Sequence, residues 1–152
     1  MVVEAADGLP DNEPVGTITT IPPLADSSGN HVVEDIGGGR YIAYAHLRPG
    51  SIPAGVRAGA RLGAGDLVGQ LGNSGASLAP HLHFQVMDSP LPLDATGLPF
   101  VFDTQLLEGS VPEGVELDLI QGAAVPVDRT GAGPRDGLMP ARNGVFGYNL
   151  SP

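Results

Sequence analysis

The chain has 152 residues, of which 41% are hydrophobic, and it carries a formal net charge of −10 at pH 7. This length fits one domain, and the charge disfavours nucleic acids and anionic membranes as partners. Cysteine and lysine are both absent, which excludes disulfide frameworks, thiolate zinc sites and lysine-linked carrier groups. No apolar run approaches the roughly 20 residues of a membrane-spanning helix, and no signal peptide is visible at the N-terminus.

Short strands and tight turns are the predicted elements of the first fifty residues. Glycine and proline make up a quarter of the chain, a composition that disfavours long helices. We predict one strand near residues 1–6, then a long turn-rich loop with room for a strand around Val15–Thr20. Two β-rich runs, HVVEDI (residues 31–36) and RYIAYAHL (residues 40–47), flank three consecutive glycines, which predicts a hairpin.

The predicted pattern of short strands and turns continues to residue 119 and ends there. Glycines recur between residues 55 and 72 at a density that favours strand edges and turns. PHLHFQVM (residues 80–87) is predicted to be a strand opened by Pro80, and a proline-rich connection (residues 88–103) ends in an aromatic strand. We expect one more strand or hairpin in residues 104–119. The prediction is therefore an all-β, antiparallel domain over residues 1–119, followed by an irregular Gly/Pro-rich tail over residues 120–152.

Histidines are the residues best suited to chemistry here. His81 and His83 are two positions apart, so on a strand their side chains project from one face, while Leu82 and Phe84 point the other way into the core. Imidazoles placed together are able to share a task, one binding a metal and the other handling a proton.

Other polar residues have mainly structural interpretations. Asp7 precedes a glycine and is expected to shape a turn, and Tyr41 and Tyr44 are expected to pack or to line a cleft wall. The loop before His81 holds three polar residues for which we expect turn roles, with contact to a bound peptide as the minority interpretation: Asn73, Ser74 and Ser77.

Three segments in this order resemble a known family. They are YIAYAHL (residues 41–47), the glycine-spaced VRAGARLGAGDLVGQLG (residues 56–72) and GNSGASLAPHLHFQV (residues 72–86). Together they are similar to the M23 family of lysostaphin-like and LytM-like zinc endopeptidases, and the resemblance covers roughly residues 2–103. It implies an antiparallel, barrel-sandwich-like β core of the duplicated hybrid motif type. It also implies a Zn²⁺ cofactor and a peptidoglycan peptide as substrate.

The resemblance also implies roles for single residues. The second histidine of the family's His-x-His pair is a zinc ligand and falls on His83. The first is a catalytic imidazole and falls on His81, and the histidine of the Tyr-x-His-Leu strand is the second catalytic imidazole and falls on His46. In the family mechanism one imidazole accepts a proton from water and the other stabilises the oxyanion.

One motif of the family has no match. Its other two zinc ligands come from a His-x-x-x-Asp motif upstream of a strand that resembles the first residues here, MVVEAADG, so we expect an N-terminally truncated form. His31 and Asp35 have the same written spacing, but residues four apart on a strand are about 13 Å from each other, too far to share one ion. We therefore predict that His31 is a satisfied or solvent-facing histidine.

Two further interpretations stay open. A metal-free, LytM-like module that binds cell-wall peptide or a partner protein would explain the unmatched ligand motif, although it has no chemical need for His46, His81 and His83 together. The glycine-spaced segment also resembles lipoyl and phosphotransfer domains. The absence of lysine excludes a lipoyl domain, and the sequence around His81 and His83, PHLHF, fits the M23 family better than a phosphotransfer domain. By resemblance alone, we expect a location outside the cytoplasm or in the cell envelope.

Overall fold

A computed structural model describes residues 1–13, 15–16, 21–115, 118, 120 and 122–147. The described chain is almost entirely β and contains two antiparallel sheets, as the composition predicts. Its contacts divide it into two units, a first unit Met1–Leu98 and a second unit that begins at Pro99. The described residues form no closed barrel. None of the helices among them is long and apolar enough to cross a membrane.

A four-stranded sheet forms the first unit. Its strands are β1 (Val2–Ala6), β2 (Asn30–Gly37), β3 (Arg40–Leu47) and β4 (His83–Met87), which lie side by side in chain order, each antiparallel to the next. The predicted hairpin of β2 and β3 is confirmed: Gly37, Gly38 and Gly39 all have positive φ, a conformation that glycine adopts without a steric penalty. A short 3₁₀ helix, Leu24–Asp26, precedes β2.

The two faces of this sheet have different environments. One face packs Val2, Val32 and Leu47 against Val56, with Tyr44 and Val68 at the margin of the cluster. The other face buries a small cluster of three residues, Val33, Ala43 and Met87, and then opens toward solvent at the C-terminal end of β3. Side chains alternate along a strand, so the apolar runs of β2 and β3 supply both faces.

The glycine-spaced segment covers the first face without becoming a hairpin. Between residues 55 and 72, all of which the structure describes, the chain forms turns, and Leu71 makes a single bridge to Leu47. Ala60 accepts a hydrogen bond from the Val2 N–H, and Gly59 donates one to the Val2 carbonyl. The predicted strand around Val15–Thr20 lies largely outside the described residues; Val15 and Gly16 are in a turn.

The second unit contains a three-stranded sheet. Its central strand is β5 (Phe102–Ser110), flanked by β6 (Gly133–Leu138) and β7 (Gly144–Gly147). A strand within residues 104–119 is thus present, but the prediction of an irregular tail after residue 119 is corrected, because β6 and β7 pair with β5. Both strands are short and contain glycine, and their apolar residues do not alternate, so the sequence pattern does not reveal them.

Candidate metal centre and catalytic groove

A β-bulge directs His46 toward the other histidines. Asn30 and Val32 of β2 pair with Leu47 and Tyr44 of β3. One residue, His31, lies between the two on β2. Two residues, Ala45 and His46, lie between their partners on β3. Two residues opposite one form a bulge, which bends the strand and changes where its side chains point. His46 has a φ of 61°, a left-handed conformation that is uncommon for residues other than glycine. Its N–H donates to the Ser28 carbonyl, outside the sheet.

The imidazole of His46 is held in one tautomer. Its Nδ1 lies 2.9 Å from the carbonyl oxygen of Ser74. A carbonyl only accepts hydrogen bonds, so Nδ1 carries the proton and Nε2 keeps its lone pair. Burial lowers the pKa of His46 below its usual range, and the neighbouring histidines act in the same direction, while the Ser74 carbonyl opposes them. Neutral His46 therefore presents a basic nitrogen.

His81 and His83 approach His46 from the adjacent chain segment. The ring centres of His46 and His81 are 4.8 Å apart, and those of His46 and His83 are 5.7 Å apart. Nδ1 of His81 donates to the Ala79 carbonyl at 2.8 Å, so its Nε2 is also free to accept a proton or bind a metal. Nε2 of His83 lies 3.3 Å from Oε1 of Gln85, which leaves Nδ1 of His83 as its lone-pair nitrogen.

Two details of the predicted His-x-His strand are corrected. The strand begins at His83, and His81 precedes it in an isolated bridge to Gly72. Leu82 is exposed rather than in the core, since it lies where the regular strand has not yet started. Phe84 does point away from the histidines, toward Tyr44, with ring centres 5.5 Å apart.

We call His46, His81 and His83 the histidine cluster. One ligand atom from each lies within 4.8 Å of the others. A zinc ion bound to His83, with a Zn–N bond of about 2.0–2.1 Å, would therefore lie beside the rings of His46 and His81. The donor chemistry and the spacing fit zinc.

His46 and His83 of the histidine cluster line an open groove on the second face of the sheet. The groove has a volume of about 250 Å³, and its lining includes His31, Ala43, Ala45, His46, His83 and Gln85. The three strand residues Ala43, Ala45 and Gln85 are in register with the adjacent strand and face the same way as His83. Because the alanines are small, an extended peptide has room to lie over β3 beside the imidazoles.

His31 and Asp35 do not form a second ligand pair. Asp35 accepts a hydrogen bond from the Gly37 N–H in the β2–β3 turn at 2.7 Å. Nδ1 of His31 donates to the Gly29 carbonyl at 2.7 Å, and its ring is buried beside the groove. The potential ligand group found among the described residues consists of His46, His81 and His83 and does not include His31. The prediction of a satisfied histidine agrees with this hydrogen bond.

A buried polar network supports His46, and sequence reasoning did not identify it. Ser74, which holds His46 through its carbonyl, is fully buried; its Oγ accepts from the Asn30 N–H and donates to the Leu47 carbonyl. The Asn30 amide group in turn donates to the carbonyls of Leu9 and Leu47. The sequence signals for this network are a polar residue at the start of β2, Asn30, and a polar loop before His81 that contains Ser74.

The neighbouring loop residues behave as structural elements. Ser77 donates to Oδ1 of Asn73 at 2.7 Å, and both side chains are buried. Asp7 accepts hydrogen bonds from the N–H groups of Gly8 and Gly50, in keeping with its predicted turn role.

Comparison with protein families agrees with this architecture. The model of Peptidase family M23 matches residues 14–95, which is more than half of the chain. All of the matched residues lie within the first unit and include the whole histidine cluster. Comparisons with curated proteins and with solved structures found no match. The chain belongs to peptidase family M23.

Proposed function

We propose that this peptidase is a zinc metalloendopeptidase that hydrolyses peptide bonds of bacterial cell-wall peptidoglycan. The observation that carries the proposal is the histidine cluster, whose three ring nitrogens approach one another to within 4.8 Å at the edge of an open groove. A cell-wall substrate also implies action outside the cytoplasm or in the cell envelope, which is part of the same proposal.

The proposed roles follow the chemistry of each ring. His83 is the proposed metal ligand, and zinc bound there would act as a Lewis acid toward the scissile carbonyl and make water nucleophilic near neutral pH. His46 is the proposed general base, because burial keeps it neutral and its Nε2 is unprotonated. His81 is the proposed second catalytic imidazole, placed beside His46 to stabilise the developing oxyanion.

The groove would position the peptide substrate for reaction. An extended peptide lying along β3 would pass over Ala43 and Ala45, with its carbonyl beside the ring nitrogens of the histidine cluster. The Ser74 carbonyl holds the His46 ring in its orientation throughout, so little reorganisation is needed during proton transfer.

The test is hydrolysis of purified peptidoglycan in the presence of Zn²⁺, followed by the appearance of new amino termini. We expect the wild-type chain to release them and the H83A variant to release none. Release by wild type and H83A at equal rates would refute the role of His83. Tight peptide binding without hydrolysis by wild type would instead favour a metal-free, LytM-like binding module.

A further inference from the structure

One short loop supports two of the three clustered histidines. We call residues 73–77 the support loop. At its second residue, the Ser74 carbonyl oxygen lies 2.9 Å from Nδ1 of His46. At its last residue, the hydroxyl oxygen of Ser77 lies 3.3 Å from Nδ1 of His81. A side chain that fixes the support loop therefore also fixes the surroundings of both imidazoles.

The Asn12 side chain holds the support loop from outside the groove. Its Nδ2 donates to the carbonyls of Asn73, Gly75 and Ser77, at 2.9, 2.7 and 3.0 Å. Three carbonyls of alternate residues thus converge on one nitrogen that has two N–H donors. Carbonyl oxygens carry partial negative charge, so without a donor between them they would repel one another and the loop would open. Asn12 itself does not line the groove.

Further hydrogen bonds fix the position of Asn12 relative to the support loop. The Asn12 N–H donates to the Asn73 carbonyl at 3.0 Å, and the Asn12 carbonyl accepts from Nδ2 of Asn73 at 2.8 Å. The carboxylate of the preceding residue, Asp11, accepts from the Asn73 N–H at 2.7 Å. Asn12 is thus joined to the loop through both its backbone and its side chain.

The contact with Asn73 also determines where the Ser77 hydroxyl points. Since Nδ2 of Asn73 donates to Asn12, Oδ1 of Asn73 faces Ser77 and accepts its proton at 2.7 Å. A hydroxyl has one proton and two lone pairs, so Oγ of Ser77 is left to accept from Nδ1–H of His81, which it shares with the Ala79 carbonyl. These contacts favour the tautomer of His81 in which Nε2 is unprotonated.

We propose that Asn12 is a positioning residue for both proposed catalytic imidazoles: its amide holds the support loop so that His46 and His81 carry their protons on Nδ1 and keep Nε2 unprotonated. The inference rests on the proposed function in so far as these two rings are catalytic. Its structural part, the tautomer of each ring, depends on neither zinc nor substrate.

The test is heteronuclear NMR of the imidazole nitrogens in the metal-free chain at about pH 8.5, where histidine side chains are neutral. A protonated and an unprotonated ring nitrogen resonate at well-separated shifts, and a mixture of tautomers gives intermediate shifts. The signals of the two rings are assigned by their loss in H46N and H81N. We expect Nδ1–H in both rings of wild type and intermediate shifts in N12A. The change should be larger at His46, because the Ala79 carbonyl still accepts from His81.

The matched control is N143A. Asn143 lies in the second unit, and in the hydrogen bonds of the described residues it takes part only through its backbone carbonyl, so N143A should leave both rings unchanged. Wild type provides a measurement in case N12A does not fold: the side-chain amide protons of Asn12 should exchange with solvent about tenfold more slowly than those of Asn143. Unchanged His46 shifts in N12A, equal changes in N12A and N143A, or equally fast exchange of the two amides would overturn the proposal.

Kinetics on a soluble cell-wall peptide separate this inference from the proposed function. Because Asn12 lies outside the groove, N12A should leave KM nearly unchanged and lower kcat by about 10²-fold through misplaced imidazoles. Tautomers that change in N12A, together with no hydrolysis by wild type, would retain the positioning of the rings and refute the enzymatic proposal. Hydrolysis by wild type, with the tautomers and kcat unchanged in N12A, would retain the enzymatic proposal and refute the role of Asn12.

Discussion

Ala45 and His46 are consecutive residues of β3, yet both line the groove. In a regular strand they would point to opposite faces, and His46 would join Tyr44 on the packed side. The bulge opposite His31 and the left-handed backbone of His46 turn its ring to the face of His83, while Leu47 returns to the core with Tyr44. The backbone conformation at one residue thus assembles the histidine cluster.

The first prediction separates the chemistry of His46 from its backbone conformation. Asparagine tolerates a positive φ, and its amide is able to donate to the Ser74 carbonyl, so H46N should fold with nearly wild-type stability. Hydrolysis should nevertheless fall by about 10²–10⁴-fold because the proton acceptor is lost. Kinetics on a cell-wall peptide and urea denaturation provide the two measurements. Nearly wild-type hydrolysis by H46N would exclude His46 as the base.

The matched variant is H46V. Valine at a φ of 61° meets the steric conflict of the left-handed region, so we expect H46V to lose roughly 1–2 kcal/mol of stability relative to H46N. Equal unfolding free energies for the two variants would show that the bulge does not persist in solution.

The second prediction concerns pH. The pKa of His46 is lowered in the folded chain, chiefly by burial. Below the unfolded-state pKa of about 6.5, the unfolded chain therefore binds a proton that the folded chain does not, and stability falls as pH decreases until the folded-state pKa is passed. Urea midpoints of the metal-free chain at pH 7.5 and 5.5 should differ more for wild type than for H46N. An identical pH dependence in both proteins would contradict the lowered pKa.

The third prediction concerns the buried network. Replacing Ser74 with alanine leaves the buried N–H of Asn30 without its acceptor, since the Ser74 Oγ fills that role at 2.9 Å. We expect S74A to lose about 1–3 kcal/mol in the free energy of unfolding. The control is S89A, which removes an exposed hydroxyl that accepts from the Leu91 N–H at 3.3 Å and should cost less than about 0.5 kcal/mol. Comparable losses for both variants would rule out a special role for the network.

The fourth prediction concerns the close approach of two loops beside His46. Gly75 has a φ of 73°, and a Cβ at this position would collide with the backbone of Gly29. G75A should therefore cost more than the backbone penalty alone. The control is G50A, because Gly50 has a similar φ of 69° and open space around it. We expect G75A to be less stable than G50A by about 1–3 kcal/mol, as measured by thermal or urea unfolding; equal stabilities would mean that the loops separate at little cost.

Sequence patterns predicted the β class, the β2–β3 hairpin and the pairing of His81 with His83, because these depend on alternation and turn glycines. The place of His46 beside them was implied only by the resemblance to the M23 family. They did not predict the bulge. An extra residue in one strand appears only through pairing with β2, so the sequence alone places Ala45 and His46 on opposite faces. The sheet of the second unit was also not predicted, since β6 has the sequence GPRDGL and lacks a strand-like alternation.

The hydrogen bond between Ser74 and His46 could not be predicted from the sequence either. The contact joins residues 28 positions apart through a backbone carbonyl, which no side-chain pattern encodes. The sequence predicts a turn role for Ser74. Its support of His46 depends on the packing of the loop between residues 72 and 77 against β2 and β3.

The proposed activity depends on zinc binding through His83. The most direct test is the zinc stoichiometry of the purified chain and of H83A, measured by elemental analysis after equilibrium dialysis against trace Zn²⁺. We expect close to one zinc per wild-type chain and close to none in H83A. A wild-type value near zero, or an unchanged value in H83A, would show that His83 does not hold a zinc ion in this chain.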